Sequence, residues 1–286
     1  MNSTVELEEQ VGTRGRERRL VFGEVAELYD RYRPGYPAAV FDRIVEFGGL
    51  DRGDLVLEVG CGTGRATLPL AERGLRVIAL EPSSEMARVA AQKTDGMVAV
   101  TVLEAAFEDW PLPREPFRLV ASAQAWHWLR PEVRFVRAHQ ALGAGGSLAL
   151  IWNTAIQIES SAGLEEAIEE VYRRVAPELA AGVPGEVEGD RRLEIDASGL
   201  FVDLAREGFP WSTTYSADDY LGLLQTQSDH LLLDDAVRQR LLGGIAAVLD
   251  AHGNQVQQGY CTYLYLARRR DYGARELALD NGGHLA

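Results

Sequence analysis

The sequence has few of the residues that mark secreted, membrane or nucleic-acid-binding proteins. It holds two cysteines in 286 residues, Cys61 and Cys261, which is too few for a disulfide framework and is typical of the reducing cytoplasm. No run approaches the roughly 18 consecutive apolar residues of a membrane-spanning helix. The formal net charge of −14 disfavours phosphate backbones and anionic lipids, because lysine and arginine supply that attraction. We expect a cytoplasmic protein whose partner is a small molecule, not nucleic acid or a membrane.

Several enzyme classes built on parallel sheets are excluded by motifs that the sequence lacks. Lys93 is the only lysine, and it has neither the neighbours of a phosphate-binding P-loop nor a tyrosine four residues before it, as short-chain dehydrogenases require. No Gly-x-Ser-x-Gly elbow of a hydrolase is present. Cys-x-x-Cys and His-x-x-x-His pairs are also absent, so we predict no metal site.

Short apolar runs alternate with helical patterns through the middle of the chain, which is typical of βαβ units around a parallel sheet. The pattern predicts a Rossmann-like, doubly wound α/β fold. Its sheet is expected to be mainly parallel and seven-stranded, with an antiparallel C-terminal strand and a helical cap. The predicted strands are 55–59, 76–81, 98–103, 117–123, 147–152, 201–206 and 255–267.

The most informative local pattern is the glycine turn Gly60-Cys61-Gly62-Thr63-Gly64, directly after a strand. Glycines at a strand-to-helix turn allow a tight reversal and let a ligand approach the backbone. Glu58 lies just before the turn, where a carboxylate would repel a pyrophosphate and attract a cationic or amine-bearing ligand. Glu81 ends the next strand, where an acidic side chain typically binds ribose hydroxyls.

These residues resemble the class I S-adenosylmethionine-dependent methyltransferases over residues 21–268, most clearly over 55–152. The resemblance implies that Glu58 and the glycine turn hold the methionine end of the cofactor and that Glu81 holds the ribose. It also implies that the loop 106–112 binds adenine, although Ala106 stands where many members have aspartate. The implied cofactor-binding residues are Glu58, Gly60, Cys61, Gly62, Gly64, Glu81, Pro82, Met86, Phe107, Glu108, Ser122 and Gln124.

Segments 33–37, 122–128 and 151–153 are similar to a small-molecule subgroup that includes trans-aconitate methyltransferases. The expected reaction moves the methyl group of S-adenosylmethionine to an O, N or C atom of a small metabolite by in-line displacement, releasing S-adenosylhomocysteine. Orientation alone can supply roughly 7–11 kcal/mol of such a barrier. The expected organisation is a flexible leader (1–20), a cofactor-binding core (21–153), a helical cap insertion (154–200), strands and helices completing the core and acceptor site (201–270), and a tail (271–286).

His127 is the candidate general base, because it follows the fourth strand and its ordinary pKa of about 6.5 suits neutral pH. The alternative is that its imidazole only packs between Trp126 and Trp128, of which at least one is expected in the core. The candidate acceptor-binding residues are Tyr29, Tyr32, Arg33, Trp126, His127, Trp128, Asn153, Gln225 and Ser228.

Two other functions fit the same sequence. A protein that binds S-adenosylmethionine without transferring its methyl group, such as a sensor or a recruited cyclase, would carry the same cofactor residues. An NAD-dependent oxidoreductase would instead bind nicotinamide tightly and tolerate loss of the Glu58 carboxylate.

Overall fold

A computed structural model of the chain describes residues 26–158, 162–180 and 191–271. The leader predicted at 1–20, and all but the first residue of the tail predicted at 271–286, lie outside these residues. None of the described helices combines the length and the apolar character needed to cross a bilayer.

The described residues form one seven-stranded sheet with the order β3-β2-β1-β4-β5-β7-β6. Strands β1 to β5 pair in parallel, whereas β7 runs antiparallel to both β5 and β6. The predicted fold class is therefore confirmed, including the antiparallel C-terminal strand. The strands are β1 (Leu55–Val59), β2 (Arg76–Glu81), β3 (Val100–Glu104), β4 (Phe117–Ala123), β5 (Leu142–Ile156), β6 (Phe201–Ser216) and β7 (Gln255–Arg269).

Helices pack against the sheet in two apolar clusters, and a third apolar cluster is formed mainly by helices. Several helices begin at capping residues: the Ser83 hydroxyl, for example, accepts the Met86 amide N–H at the start of α4. The helices are α1 (Ala26–Tyr32), α2 (Ala38–Gly48), α3 (Thr67–Glu72), α4 (Ser84–Lys93), α5 (Pro131–Ala141), α6 (Ala162–Val175), α7 (Pro177–Ala180), α8 (Arg191–Ala197), α9 (Ala217–Leu224), α10 (Ser228–Leu231) and α11 (Asp235–Ala251), with a 3₁₀ turn at Trp126–Trp128.

Strand β1 lies at the centre of the sheet, and all five of its residues are buried. Its neighbours are β2 and β4. From β1 the chain goes outward through β2 to β3 on one side, and then crosses back to β4 on the other side of β1. The chain direction across the sheet reverses between β1 and β4. In open α/β sheets a crevice for ligands forms at such a switch point, beyond the carboxyl ends of the strands.

The last two strands are longer than the sequence predicts. The expected strand 201–206 continues to Ser216, and it pairs with β7 as far as Ser216 opposite Gln255. The continuation contains Gly208 and Pro210, which are unfavourable in a central strand, but β6 is an edge strand, where proline removes no required ladder bond. The added part of β6 and the part of β7 paired with it contribute to a separate apolar cluster with helices α6, α9 and α11.

Candidate active site

A cavity of about 270 Å³ opens at the carboxyl ends of the central strands. It is lined by the glycine turn after β1, the ends of β2 and β4, the loop after β3, the 3₁₀ turn, the segment following α1 and the start of α10. Sixteen of the predicted site residues line it: Tyr29, Arg33, Glu58, Gly60, Cys61, Gly62, Glu81, Pro82, Met86, Phe107, Glu108, Gln124, His127, Trp128, Asn153 and Ser228.

The three glycines of the turn have positive φ angles but different surroundings. A Cβ on Gly60 would lie 2.4 Å from the Cβ of Ala125, so this glycine is needed for packing against the end of β4. A Cβ on Gly64 would lie 3.5 Å from Ala90 of α4, and Gly64 does not line the cavity. A Cβ on Gly62, where φ is +55°, would meet no atom within 4 Å. Gly62 is therefore the glycine whose missing side chain leaves room for a ligand.

Glu58 is a buried carboxyl group at the floor of the cavity, with 1% of its surface exposed. The Thr67 hydroxyl donates a 2.6 Å hydrogen bond to its Oε2. Burial raises the pKa of Glu58 to about 8, and the nearby Glu81 carboxylate adds to the rise. The site is thus prepared for a cation, whose charge would compensate the ionised form.

Glu81 organises the glycine turn from the end of β2. One carboxylate oxygen accepts the Gly62 amide N–H at 2.9 Å, and the other accepts the Ser83 amide N–H at 2.9 Å. These bonds tie the turn to the start of α4. A carboxylate oxygen can accept more than one hydrogen bond, and carboxylates are therefore suited to binding hydroxyl groups of a ligand.

His127 lines the cavity from the 3₁₀ turn, with its ring 4.6 Å from the ring of Trp128. The Trp152 indole Nε1–H donates to His127 Nδ1 over 3.4 Å. Burial, together with the positive charges of Arg191 and Arg134, lowers the pKa of His127 to about 4. The imidazole is therefore neutral at physiological pH and a weak base, which argues against the general-base role predicted from its ordinary pKa.

Five predicted site residues do not line the cavity. Trp126 is fully buried in the core, its ring 5.3 Å from that of Phe135, so it is the tryptophan of the pair that packs. The buried Ser122 hydroxyl donates to the Val59 carbonyl oxygen. The other three are Tyr32, Gly64 and Gln225. Tyr32 packs beside Gly222, Gly64 lies beside α4, and the side-chain amide of Gln225 donates to the Leu221 carbonyl.

Two of the lining residues predicted to contact an acceptor already hold the fold together. Asn153 donates through Nδ2 to the Gly35 carbonyl at 2.9 Å and accepts the Thr262 hydroxyl at 2.6 Å. Arg33 donates to the hydroxyl and the carbonyl oxygen of Thr226, at 2.9 and 2.7 Å. Both side chains connect the segment after α1 to the C-terminal part of the chain.

Three residues that shape the site were not among the predicted site residues. Thr67 bonds Glu58, Trp152 bonds His127, and Arg65 lines the cavity with a buried Nε–H that has no hydrogen-bond partner in the described part of the chain. Arg65 also donates to the Asp30 carbonyl oxygen of α1. Its position, one residue past the glycine turn, is the only signal that could have identified it. Among the described residues, no group of three or more His, Cys, Asp or Glu side chains is arranged to hold a metal ion.

The comparison with known proteins agrees with this geometry. A family model described as a methyltransferase domain matches residues 56–146, from β1 into β5. An uncharacterized methyltransferase of Geobacillus kaustophilus is 35% identical over 175 residues, which are 58% of this chain and 79% of that protein. The chain belongs to the class I S-adenosylmethionine-dependent methyltransferases. An uncharacterized methyltransferase of Mycobacterium tuberculosis is similar over more of the chain, 28% identical over 238 residues, with 83% of this chain and 88% of that protein covered.

A solved structure shows a similar fold over most of this methyltransferase. A methyltransferase structure from Anaeromyxobacter dehalogenans superposes with a TM-score of 0.55 at 24% identity, covering 83% of this chain and 98% of that one. The predicted family, fold and cofactor, S-adenosylmethionine, are confirmed. The likeness to trans-aconitate methyltransferases in particular stays a prediction.

The cavity fits S-adenosylmethionine in the chemistry of its lining. The free space at Gly62, the buried carboxyl of Glu58 and the ordered carboxylate of Glu81 match a ligand with an amino group and ribose hydroxyls. Met86 and Phe107 add buried apolar surface beyond Glu81. A pyrophosphate, by contrast, would bring negative charge towards the Glu81 carboxylate and would further oppose ionisation of Glu58.

Proposed function

We propose that this methyltransferase transfers the methyl group of S-adenosylmethionine to a small-molecule acceptor bound in the same cavity. One observation carries the proposal: the cavity is continuous from the glycine turn and Glu81 to a second wall made by Arg33, His127 and Trp128. These side chains come from the segment after α1 and from the 3₁₀ turn. A nucleoside held by the glycine turn and Glu81 would not need them.

The cofactor half of the cavity offers a partner for each polar group of the cofactor. We assign the methionine amino group to Glu58 and the ribose hydroxyls to Glu81. The methionine carboxylate is assigned to Arg65, whose buried Nε–H has no partner among the described residues. Adenine is assigned to the loop at Phe107 and Glu108. When bound, the sulfonium supplies an activated methyl group and a neutral leaving group.

The residues of this chain then act mainly by orientation. The second wall holds the acceptor atom in line with the methyl group, and such positioning accounts for a large part of the barrier reduction in well-aligned displacements. The aromatic face of Trp128 favours positive charge nearby, which suits a sulfonium. No described residue needs to form a covalent intermediate for this reaction.

The proposal of a small acceptor is supported by the size and charge of the protein around the cavity. The cavity of about 270 Å³ must hold the cofactor as well as the acceptor, which favours a compact acceptor. The net charge of −14 provides no attraction for a nucleic-acid acceptor. The segment after α1, which lines the cavity through Arg33, is also joined to the α9–α10 turn by the bonds between Arg33 and Thr226.

The proposal is tested by incubating the purified chain with S-adenosylmethionine and a panel of small carboxylic acids, phenols, amines and thiols. The quantity measured is the S-adenosylhomocysteine that is released. We expect acceptor-dependent release that is lost in Glu58→Gln and kept in Glu104→Gln, which removes an exposed carboxylate of β3 that does not line the cavity. Tight cofactor binding without release for any acceptor would favour a binding protein, and tight nicotinamide binding would favour an oxidoreductase.

A further inference from the structure

Trp152 and His127 form a pair at the second wall that the reaction chemistry does not require. Trp152 lies in β5, is 2% exposed and does not line the cavity, whereas His127 does. The atoms that join them are Trp152 Nε1 and His127 Nδ1, 3.4 Å apart. The Trp152 ring is itself held, at 5.7 Å and nearly perpendicular to the Tyr265 ring.

The chemistry of the two rings fixes the position of one proton. An indole N–H can only donate a hydrogen bond, so the nitrogen that receives it must carry a lone pair. His127 Nδ1 is therefore unprotonated, and in the neutral imidazole the hydrogen sits on Nε2. The ring nitrogen that remains for the cavity is then a donor, not an acceptor.

The surroundings of the pair keep the imidazole from gaining a second proton. The Arg191 guanidinium of α8 lies over the Trp152 ring at 5.2 Å, and the Arg134 guanidinium of α5 donates to the Trp126 carbonyl one residue before His127. Glu194 pairs with both guanidiniums at 2.7 Å, but burial and the two arginines together still lower the pKa of His127 to about 4.

We propose that Trp152 is a positioning residue that fixes His127 as a neutral Nε2–H donor, which orients the methyl acceptor and takes no proton from it. This inference rests on the proposed function. The acceptor must then offer one lone pair to His127 and a second to the methyl carbon. In the transfer step, the acceptor lone pair forms the new bond to carbon, and the carbon–sulfur bond breaks with its electron pair on sulfur. The acceptor class is a molecule whose reacting atom needs no deprotonation by the protein.

The first test needs neither cofactor nor acceptor. Long-range ¹H–¹⁵N correlation spectra of the full chain, labelled at histidine nitrogens, report which ring nitrogen carries hydrogen, and the His127→Gln spectrum identifies the His127 signals. We expect Nε2–H in the wild type at pH 7 and a mixture of tautomers in Trp152→Phe, which lacks the indole N–H. Hydrogen on Nδ1 in the wild type, or an imidazolium at pH 7, would overturn the proposal.

The second test uses the acceptor found in the release assay. A glutamine amide can place an N–H where His127 has Nε2 but cannot accept a proton, whereas the shorter asparagine cannot reach. We expect His127→Asn to lose about tenfold in kcat, the value of one hydrogen bond. His127→Gln, which keeps an N–H donor, and Trp152→Phe, in which part of the imidazoles keep Nε2–H, should each lose less. The KM for S-adenosylmethionine should be unchanged in all three.

Trp211→Phe serves as the matched control, because it also removes an indole N–H hydrogen bond, the one to the Thr262 hydroxyl, and Trp211 does not line the cavity. The inference would be refuted if His127→Gln lost as much activity as His127→Asn and if both variants also lost an acid limb of the pH–rate profile. That result would show that the imidazole takes a proton. If no acceptor supports release, the proposed function fails, while the nitrogen spectra still decide the state of His127.

Discussion

Replacing Glu58 by glutamine should stabilise the cofactor-free methyltransferase and weaken its affinity for the cofactor. Burial raises the pKa of the Glu58 carboxyl from 4.5 to about 8. At pH 7 the carboxyl is ionised in the unfolded chain and protonated in the folded one, so folding must take up a proton. The linkage relation gives a penalty of about 3 kcal/mol at pH 7 and under about 1 kcal/mol at pH 5. Glutamine removes this penalty and keeps an oxygen that can accept the Thr67 hydroxyl.

The sign of the effect follows from the raised pKa. A carboxyl that binds its proton more tightly in the folded state gives stability that is present below pH 4.5 and lost as pH rises towards 8. Urea unfolding of the wild type and Glu58→Gln should therefore show midpoints that separate as pH rises from 5 to 7. Glu104→Gln, which changes an exposed carboxylate, should follow the wild type. Midpoints that differ equally at the two pH values would refute the reasoning.

The same group predicts proton release on cofactor binding. When an amino group of the ligand faces Glu58, the carboxyl must ionise, and about 0.9 of a proton leaves at pH 7 for a pKa of 8. Calorimetric titration with S-adenosylhomocysteine in two buffers of different ionisation enthalpy measures this number. We expect none in Glu58→Gln. Equal heats in both buffers for the wild type would show that Glu58 does not meet the amino group.

Two further predictions concern the glycine turn and a buried histidine. Gly62→Val should abolish S-adenosylhomocysteine binding in calorimetry, because the valine side chain would enter open cavity space, and it should keep the helical circular dichroism signal. Gly60→Ala should instead lower the urea unfolding midpoint, because the new Cβ would lie 2.4 Å from that of Ala125. His230 is 3% exposed and its pKa is lowered to about 4, so the folded chain should lose about 2 kcal/mol of stability between pH 7 and pH 5 through this group. Urea midpoints at the two pH values should show a shallower acid slope in His230→Gln; an unchanged slope would contradict this.

The sequence was sufficient for the sheet and for most of the cofactor half of the site. Strand β1 and the glycine turn are set by local pattern, because buried apolar runs and positive-φ glycines leave few alternatives over these ten residues. Glu81 was placed correctly at the end of β2, since its spacing from the turn follows from one βα unit. The extent of β6 was not predictable, because it depends on pairing with β7 some fifty residues later.

The second wall could not be derived from local pattern. Trp126 and Trp128 are two residues apart and look equivalent in the sequence, yet one is fully buried and the other lines the cavity. The state of His127 depends on Trp152, Arg134 and Arg191, which come from β5, α5 and α8. Such tertiary contacts override the ordinary pKa on which a sequence-based assignment must rely.

The pH dependence of the fold and that of the ligand site are connected through these buried groups. His127 and His230 stay neutral and destabilise the folded chain as pH falls below 6.5, whereas Glu58 destabilises the cofactor-free chain as pH rises above 4.5. A bound amino group would remove only the Glu58 penalty. Each pH unit below 8 should therefore weaken cofactor binding by about tenfold until other groups titrate. The increase in unfolding free energy that a fixed S-adenosylhomocysteine concentration produces should consequently be larger at pH 8 than at pH 6. A carboxylate of ordinary pKa would already be ionised at both pH values and would produce no such difference.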